Sequence, residues 1–147
     1  MHRIEIPPLW LIVFLALAWG SGRAVPFHPF GTPGRWAGAA LVALGLLLMA
    51  AAVAKMVQRR TTVIPRRDAS TLVTGGVFRF SRNPIYLGDA LVLAGAALWW
   101  DAPLALLLVP AFMALIRRRF IMGEEAQLAA RFGPEYRHWA TRTRRWM

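Results

Sequence analysis

No cysteine occurs among the 147 residues, which excludes disulfides, a thiol nucleophile and zinc–thiolate sites. Histidine is sparse. His2, His28 and His138 are scattered without metal-ligand spacing, so neither a structural nor a catalytic metal is expected. There is no internal repeat and no low-complexity tract. Acidic residues are few, seven against eighteen Lys and Arg, which leaves a formal net charge of +11. In a small soluble protein that balance would point to nucleic acid. Here long uncharged stretches separate the charges and leave little soluble surface, so the expected anionic partner is lipid headgroups and not nucleic acid.

What the chain has in abundance is apolar sequence: 57% hydrophobic residues, seven tryptophans and a mean hydropathy of +0.44. The length allows one domain, taken as residues 1–147. Four apolar segments stand out: Leu9 to Gly20, Trp36 to Ala54, Pro84 to Trp100 broken only by Asp89, and Ala102 to Ile116. A bilayer core needs about 20 helical residues, fewer when interfacial residues assist. The second segment, uncharged throughout, qualifies alone. The third and fourth, joined by Trp99-Trp100-Asp101-Ala102-Pro103, read as a helical hairpin with tryptophans at the interface. The fold expected is therefore an all-α integral membrane protein with about four transmembrane helices, a C-terminal helical hairpin and a cytoplasmic amphipathic C-terminal helix.

The first segment has two readings, a retained span or a cleaved signal peptide, and Pro7-Pro8 suits a helix start. With the N-terminus inside, sixteen of the eighteen Lys and Arg fall on the inner side and only Arg23 and Arg35 outside. Arg3, Arg66 and Arg67 belong to the inner set. Both termini are thus expected in the cytoplasm of a bacterial inner-membrane protein. Beyond the last span a helix begins near Gly123, and Phe132-Gly133-Pro134 supplies a stop and a restart. Tyr136, Trp139, Ala140 and Thr143 then recur at helical spacing opposite Arg137, Arg142, Arg144 and Arg145. That pattern suits a helix lying on an anionic membrane surface better than a lid.

Three places carry chemistry. Gly75-Gly76, two arginines and the Asn83-Pro84 corner lie against an apolar run, where polar turn-forming backbone is expensive unless used. The amides at the start of the Pro84 helix can bind an anion such as a carboxylate. Glu124-Glu125 are the chain's adjacent carboxylates, read either as first-turn residues favoured by the helix dipole or as ligands for an ammonium or a ribose. Asp89 lies within a span, three residues after Tyr86 and on its face, either functional or reached by water.

Leu72-Val73-Thr74-Gly75-Gly76-Val77-Phe78-Arg79, followed by Arg82-Asn83-Pro84-Ile85-Tyr86-Leu87-Gly88, resembles the isoprenylcysteine carboxyl methyltransferase and phospholipid methyltransferase superfamily. Glu124-Glu125, Leu128, Phe132-Gly133, Glu135-Tyr136 and Trp139 look like that family's C-terminal signature. The likeness covers residues 61–139, over half the chain. It implies an integral-membrane enzyme that uses S-adenosylmethionine, without a Rossmann domain, on a lipophilic or membrane-partitioned acceptor. By position, Ser70, Thr71, Leu72 and Val73 would line the cofactor pocket through backbone groups, with Phe78 packing nearby. Asn83, Pro84, Ile85 and Tyr86 would hold the cofactor at the helix mouth, and Glu124 would bind it from the other side. The substrate-side arginine falls at Arg118 or Arg119. Arg82, Glu125 and Asp89 are the catalytic candidates: Arg82 to pair with a carboxylate, Asp89 or Glu125 to orient or deprotonate an amine. The family often has histidine where this chain has Asn83, which hydrogen-bonds but is no general base at neutral pH. Two rivals stand beside this reading, an NADPH-dependent reductase of the related sterol-reductase type and a non-catalytic membrane subunit.

Overall fold

The structure, a computed structural model, describes residues 6–61 and 70–147. Arg3, Arg66 and Arg67 of the inner basic set lie outside the described residues. Two long helices come first, α1 (Pro7–Ala24) and α2 (Gly31–Gln58). A 3₁₀ turn, Gly76–Arg79, precedes α3 (Pro84–Trp99). A second 3₁₀ turn, Pro103–Leu107, leads into α4 (Leu108–Ile116), which passes through a π-turn, Arg117–Ile121, into α5 (Met122–Phe132). Finally α6 runs Pro134–Arg142. No strand occurs among the described residues.

Local chemistry explains the boundaries. Prolines stand in the first turns of α1, α3 and α6, where a missing N–H goes unnoticed. Gly133, at φ +54°, ends α5 in a conformation that a side chain resists, and Pro134 restarts the chain. The start of α2 is capped from a distance: the amides of Phe30 and Gly31 donate to the two carboxylate oxygens of Asp101 at 2.9 and 3.0 Å.

α2 and α3 run antiparallel along their length. Their approach is set by two reciprocal glycine pairs, Gly38 with Gly95 and Gly45 with Gly88. A methyl group built on Gly45 would stand 2.6 Å from the Gly88 carbonyl oxygen, and one on Gly95 at 2.6 Å from that of Gly38. No side chain fits at these positions without separating the helices. The opposite face of α3 joins a core in which Tyr86, Ala90 and Leu93 meet Phe14 and Ala18 of α1, Phe112 and Ile116 of α4 and Phe120 of the π-turn. Phe14 meets Phe112 edge-on at 5.3 Å between ring centres, so α1 is part of the packed body.

α2 is long and apolar enough to cross a bilayer, with a mean hydropathy of 2.4, and only 17% of that window is covered by protein. A core helix of a soluble protein would be buried; this one turns Leu44, Leu46, Leu47 and Val53 outward. α3 is a shorter apolar helix.

Three expectations are corrected. The fourth apolar segment is not one helix, because Pro103 opens it as a 3₁₀ turn and regular α geometry holds only from Leu108 to Ile116. Glu124 and Glu125 do not sit at a free helix start: Ile121 before them is already helical, so the preceding amides are engaged and the dipole argument lapses. The aromatic face of α6 does not lie on a membrane surface. Tyr136 and Trp139 are buried in a second core with Ala52, Leu72, Val73 and Phe78, and the exposed arginines point away from it.

Candidate active site

The polar motifs converge at one end of the bundle. Tyr86 stands in the first turn of α3 and Glu124 in the first turn of α5. The Tyr86 hydroxyl donates to Glu124 Oε1 at 2.6 Å, a short bond of the kind made to an ionised acceptor. The π-turn holds Phe120 and Ile121 in the core, Phe120 lying 6.4 Å from the Tyr86 ring, and sets the direction in which α5 projects its two glutamates.

Glu125, one residue on, is held from the C-terminal tail. Arg145 donates from Nε and Nη2 to its two oxygens at 2.8 and 2.9 Å, a bidentate fork. That hydrogen-bonded carboxylate raises the guanidinium's already high pKa. Arg82 Nη2 stands 3.9 Å from the same carboxylate, and Nη1 donates to the Tyr136 hydroxyl at 3.4 Å. The Tyr136 phenol is pushed above its ordinary value by burial and by the Glu125 charge, against the opposing pull of Arg82 and Arg145. Arg82 Nε is buried with no hydrogen-bond partner among the described residues.

The tail itself is strapped to the loop before α3. The Arg82 amide donates to the Arg144 carbonyl at 3.0 Å, and Asn83 Nδ2 to the Arg145 carbonyl at 2.9 Å. The Asn83 amide is in turn satisfied by Ser81 Oγ at 3.1 Å. Behind this strap Trp139 Nε1 donates to the Phe78 carbonyl at 3.1 Å, so α6 clamps the 3₁₀ turn.

Arg82, Asn83, Tyr86, Glu124 and Glu125 are therefore brought together. Pro84 and Ile85 flank them in the first turn of α3, with Pro84 buried. Asp89, one turn further in, is only 5% exposed, and nothing among the described residues hydrogen-bonds to it. Leu72, Val73 and Phe78 are buried under Trp139, whereas Ser70 is exposed and spends its hydroxyl on the Arg60 carbonyl at 2.7 Å; Thr71 lies half-buried between them. Of the substrate-side pair, Arg118 is exposed and Arg119 lies over the Trp10 ring of α1 at 5.1 Å. Two residues at the site escaped the sequence. Arg145 read as one more solvent-facing arginine, and Lys55 as a topological charge, although its stem lies against Gly75 within 3.1 Å of where a methyl group would stand. Neither carries a local motif; both reach the site only through tertiary packing.

These features define a small helical protein with a polar site, built from two separated motifs, at the end of an apolar bundle. The chain belongs to the phospholipid methyltransferase family, a family of methyltransferases acting on membrane substrates, whose sequence profile matches residues 34–135. It is also similar to an uncharacterized protein of Haemophilus influenzae, 38% identical over 63 residues, which amount to 43% of this chain and the whole of that protein.

Proposed function

We propose that this chain is an integral-membrane methyltransferase that draws on S-adenosylmethionine and modifies a lipid-type acceptor. The observation that carries the reading is the 2.6 Å bond from Tyr86 to Glu124, which joins the Asn83–Gly88 corner to the Glu124-Glu125 pair. The donor set suits the cofactor's chemistry. Its ammonium and sulfonium are cationic and its amino-acid end carries a carboxylate. Glu124 and the unpaired Asp89 offer negative charge, and the orphaned Arg82 Nε offers a donor.

Bound there, the cofactor supplies an electrophilic methyl group on sulfur. Glu124, fixed by Tyr86, binds the cationic end. Arg82, held in place by Tyr136 and Glu125, binds the carboxylate. Asp89 stands deeper, where it orients an amine or hydroxyl acceptor arriving from the bilayer and receives its proton. Asn83 contributes hydrogen bonds only. The apolar walls exclude water that would compete as an acceptor.

Four spans with both termini cytoplasmic fit the same picture. Among the described residues Arg23 and Arg35 are set apart at the end of the bundle away from the site, and the outward faces of α1 and α2 are apolar. Family membership favours methyl transfer over the NADPH-dependent reductase reading.

The test is calorimetric titration of detergent-solubilised protein with S-adenosylhomocysteine and with NADPH. Binding of the first, abolished by Glu124→Ala, is expected; no binding of it overturns the assignment. Transfer of a radiolabelled methyl group to total membrane lipid then identifies the acceptor, and binding without transfer marks a non-catalytic subunit.

A further inference from the structure

At the opposite end of the bundle, one length of α3 away (about 24 Å for sixteen residues), the helices open into a cavity of about 560 Å³. Its wall includes Arg23 from the end of α1, Arg35 from the start of α2, His28 between them, and Trp19, Trp99 and Asp101. None of these residues takes part in the site described above.

Each arginine lies over a tryptophan ring. The Arg23 guanidinium lies 5.7 Å from the Trp19 ring centre and that of Arg35 lies 5.6 Å from Trp99. Stacking fixes a guanidinium's plane and leaves its N–H edge outward. Neither guanidinium donates a hydrogen bond to any acceptor among the described residues, so up to ten N–H donors face a cavity in which only one carboxylate is present. That carboxylate, Asp101, is already engaged: both oxygens accept amides at the start of α2, and its backbone carbonyl accepts from His28 Nδ1 at 2.9 Å. The cavity is therefore cationic and rich in unused donors arranged as forks.

Its rim is aromatic. Trp19 and Trp99, which line the cavity beside Trp100, are 52% and 47% exposed, large apolar surface that water would penalise. Amphipathic tryptophans placed so, around a polar recess at the end of an apolar bundle, match the depth at which phospholipid headgroups lie.

We propose that this cavity is a phosphate-binding site, and that the phosphate it takes is the headgroup phosphodiester of an anionic phospholipid in the leaflet opposite the catalytic site. Arg23 and Arg35 grip the phosphate oxygens as two planar forks, and the acyl chains run down the exposed apolar flank of α2. The site tethers an anionic lipid without modifying it, independently of the methyl-transfer reading.

Native mass spectrometry of the full chain, released from detergent with dioleoylphosphatidylglycerol or dioleoylphosphatidylcholine, tests this. Preferential retention of phosphatidylglycerol is expected, and the Arg23→Gln/Arg35→Gln variant should lose it by about tenfold, the scale of one to two charge-assisted forks. Millimolar inorganic phosphate that displaces the lipid shows that the phosphate alone is recognised. Failure to displace it, with the arginine dependence intact, assigns recognition to the lipid as a whole. Equal retention by wild type and variant, or no preference between the two lipids, overturns the proposal. Should the double variant not fold, Arg23→Gln alone, at an exposed position, should still lose retention several-fold, and unchanged retention there overturns the proposal equally. Arg23→Lys/Arg35→Lys keeps the charge and loses the fork, so an intermediate loss is expected.

Discussion

A tyrosine hydroxyl that donates to a carboxylate on another helix fixes both side chains at once. Tyr86→Phe keeps the ring in contact with Phe120 and removes the donor to Glu124. A bond to a charged acceptor is worth roughly 1.5–3 kcal/mol to the fold, so the variant should melt earlier on that scale and, with Glu124 no longer fixed, bind S-adenosylhomocysteine about tenfold more weakly. Calorimetry beside a melting curve separates the two effects; unchanged affinity would show that Glu124 is oriented by other means. Tyr136 gives a second test. Tyr86 and Tyr136 are the only tyrosines, which makes an ultraviolet phenol titration tractable. Burial, reinforced by Glu125, raises the Tyr136 phenol's folded value above its unfolded one. The neutral phenol's contribution to stability is therefore complete below about pH 10 and is lost as pH rises through the raised value. Tyr136→Phe should remove one raised component of the titration and, with it, that phenol's share of the alkaline loss of stability. At this scale the sequence was partly legible. Tyr86, Asn83 and Glu124 could be singled out because each sits in a dense local pattern. Arg145 could not, because an arginine among arginines acquires its role only when the tail folds back onto Ser81, Arg82 and Asn83.

Among the elements, the α2–α3 pair depends most directly on residue size. Gly45→Leu would drive a side chain into the Gly88 carbonyl and the Leu91 and Val92 side chains beside it. Overpacking of this kind costs about 1–3 kcal/mol in a core that can adjust, and backbone opposite backbone cannot. The expected result is a clear fall in melting temperature in detergent, with a comparable fall for Gly95→Val; a neutral outcome would mean that the helices are not in register as described. The existence of α1, α2 and α3 was legible from apolar run length. The small residues of α2 were legible only as a composition, since the same run of Gly and Ala reads equally well as genome bias until α3 places a glycine opposite each one. The break in the fourth segment was hidden for a related reason: an apolar run records burial and says nothing of whether its hydrogen bonds close over three, four or five residues.

Across the whole molecule, two cores are joined through α3, and the tail spans the loop between them. One core holds α1, α3, α4 and the π-turn; the other holds the C-terminal end of α2, the loop before α3 and the last two helices. Removing residues 144–147 takes away the acceptors of Arg82 and Asn83, the bidentate partner of Glu125 and the Trp146 ring packed on the edge of the first core, but leaves the buried residues of both cores in place. Circular dichroism should show unchanged helix content, while limited proteolysis should cut faster between residues 70 and 83. Equal cleavage rates would show that the tail is not what holds this loop. The single domain and its two polar motifs were readable from the sequence. The fate of the last helix was not, because a basic, aromatic, amphipathic pattern is equally consistent with a lipid surface and with Leu72, Val73 and Phe78 as the apolar partner.

The π-turn at Arg117–Ile121 has a consequence of its own. Such a turn amounts to one residue too many for an α-helix, and each residue rotates the remainder of the helix by about 100°. Deleting Arg118, an exposed side chain, would let α4 run into α5 as one regular helix with better backbone bonding. The wide turn takes up that extra residue, so the same deletion would leave Glu124 and Glu125 on nearly the same side of the axis, still toward Tyr86 and Arg82. A shorter chain with a more perfect helix should thus be as stable as the original, or more so, and still bind S-adenosylhomocysteine, whereas inserting one alanine after Ile121 should turn both glutamates away by about 100° and abolish binding. Residue count together with the width of the turn, and no particular side chain, sets the angle at which the two halves of the site face each other.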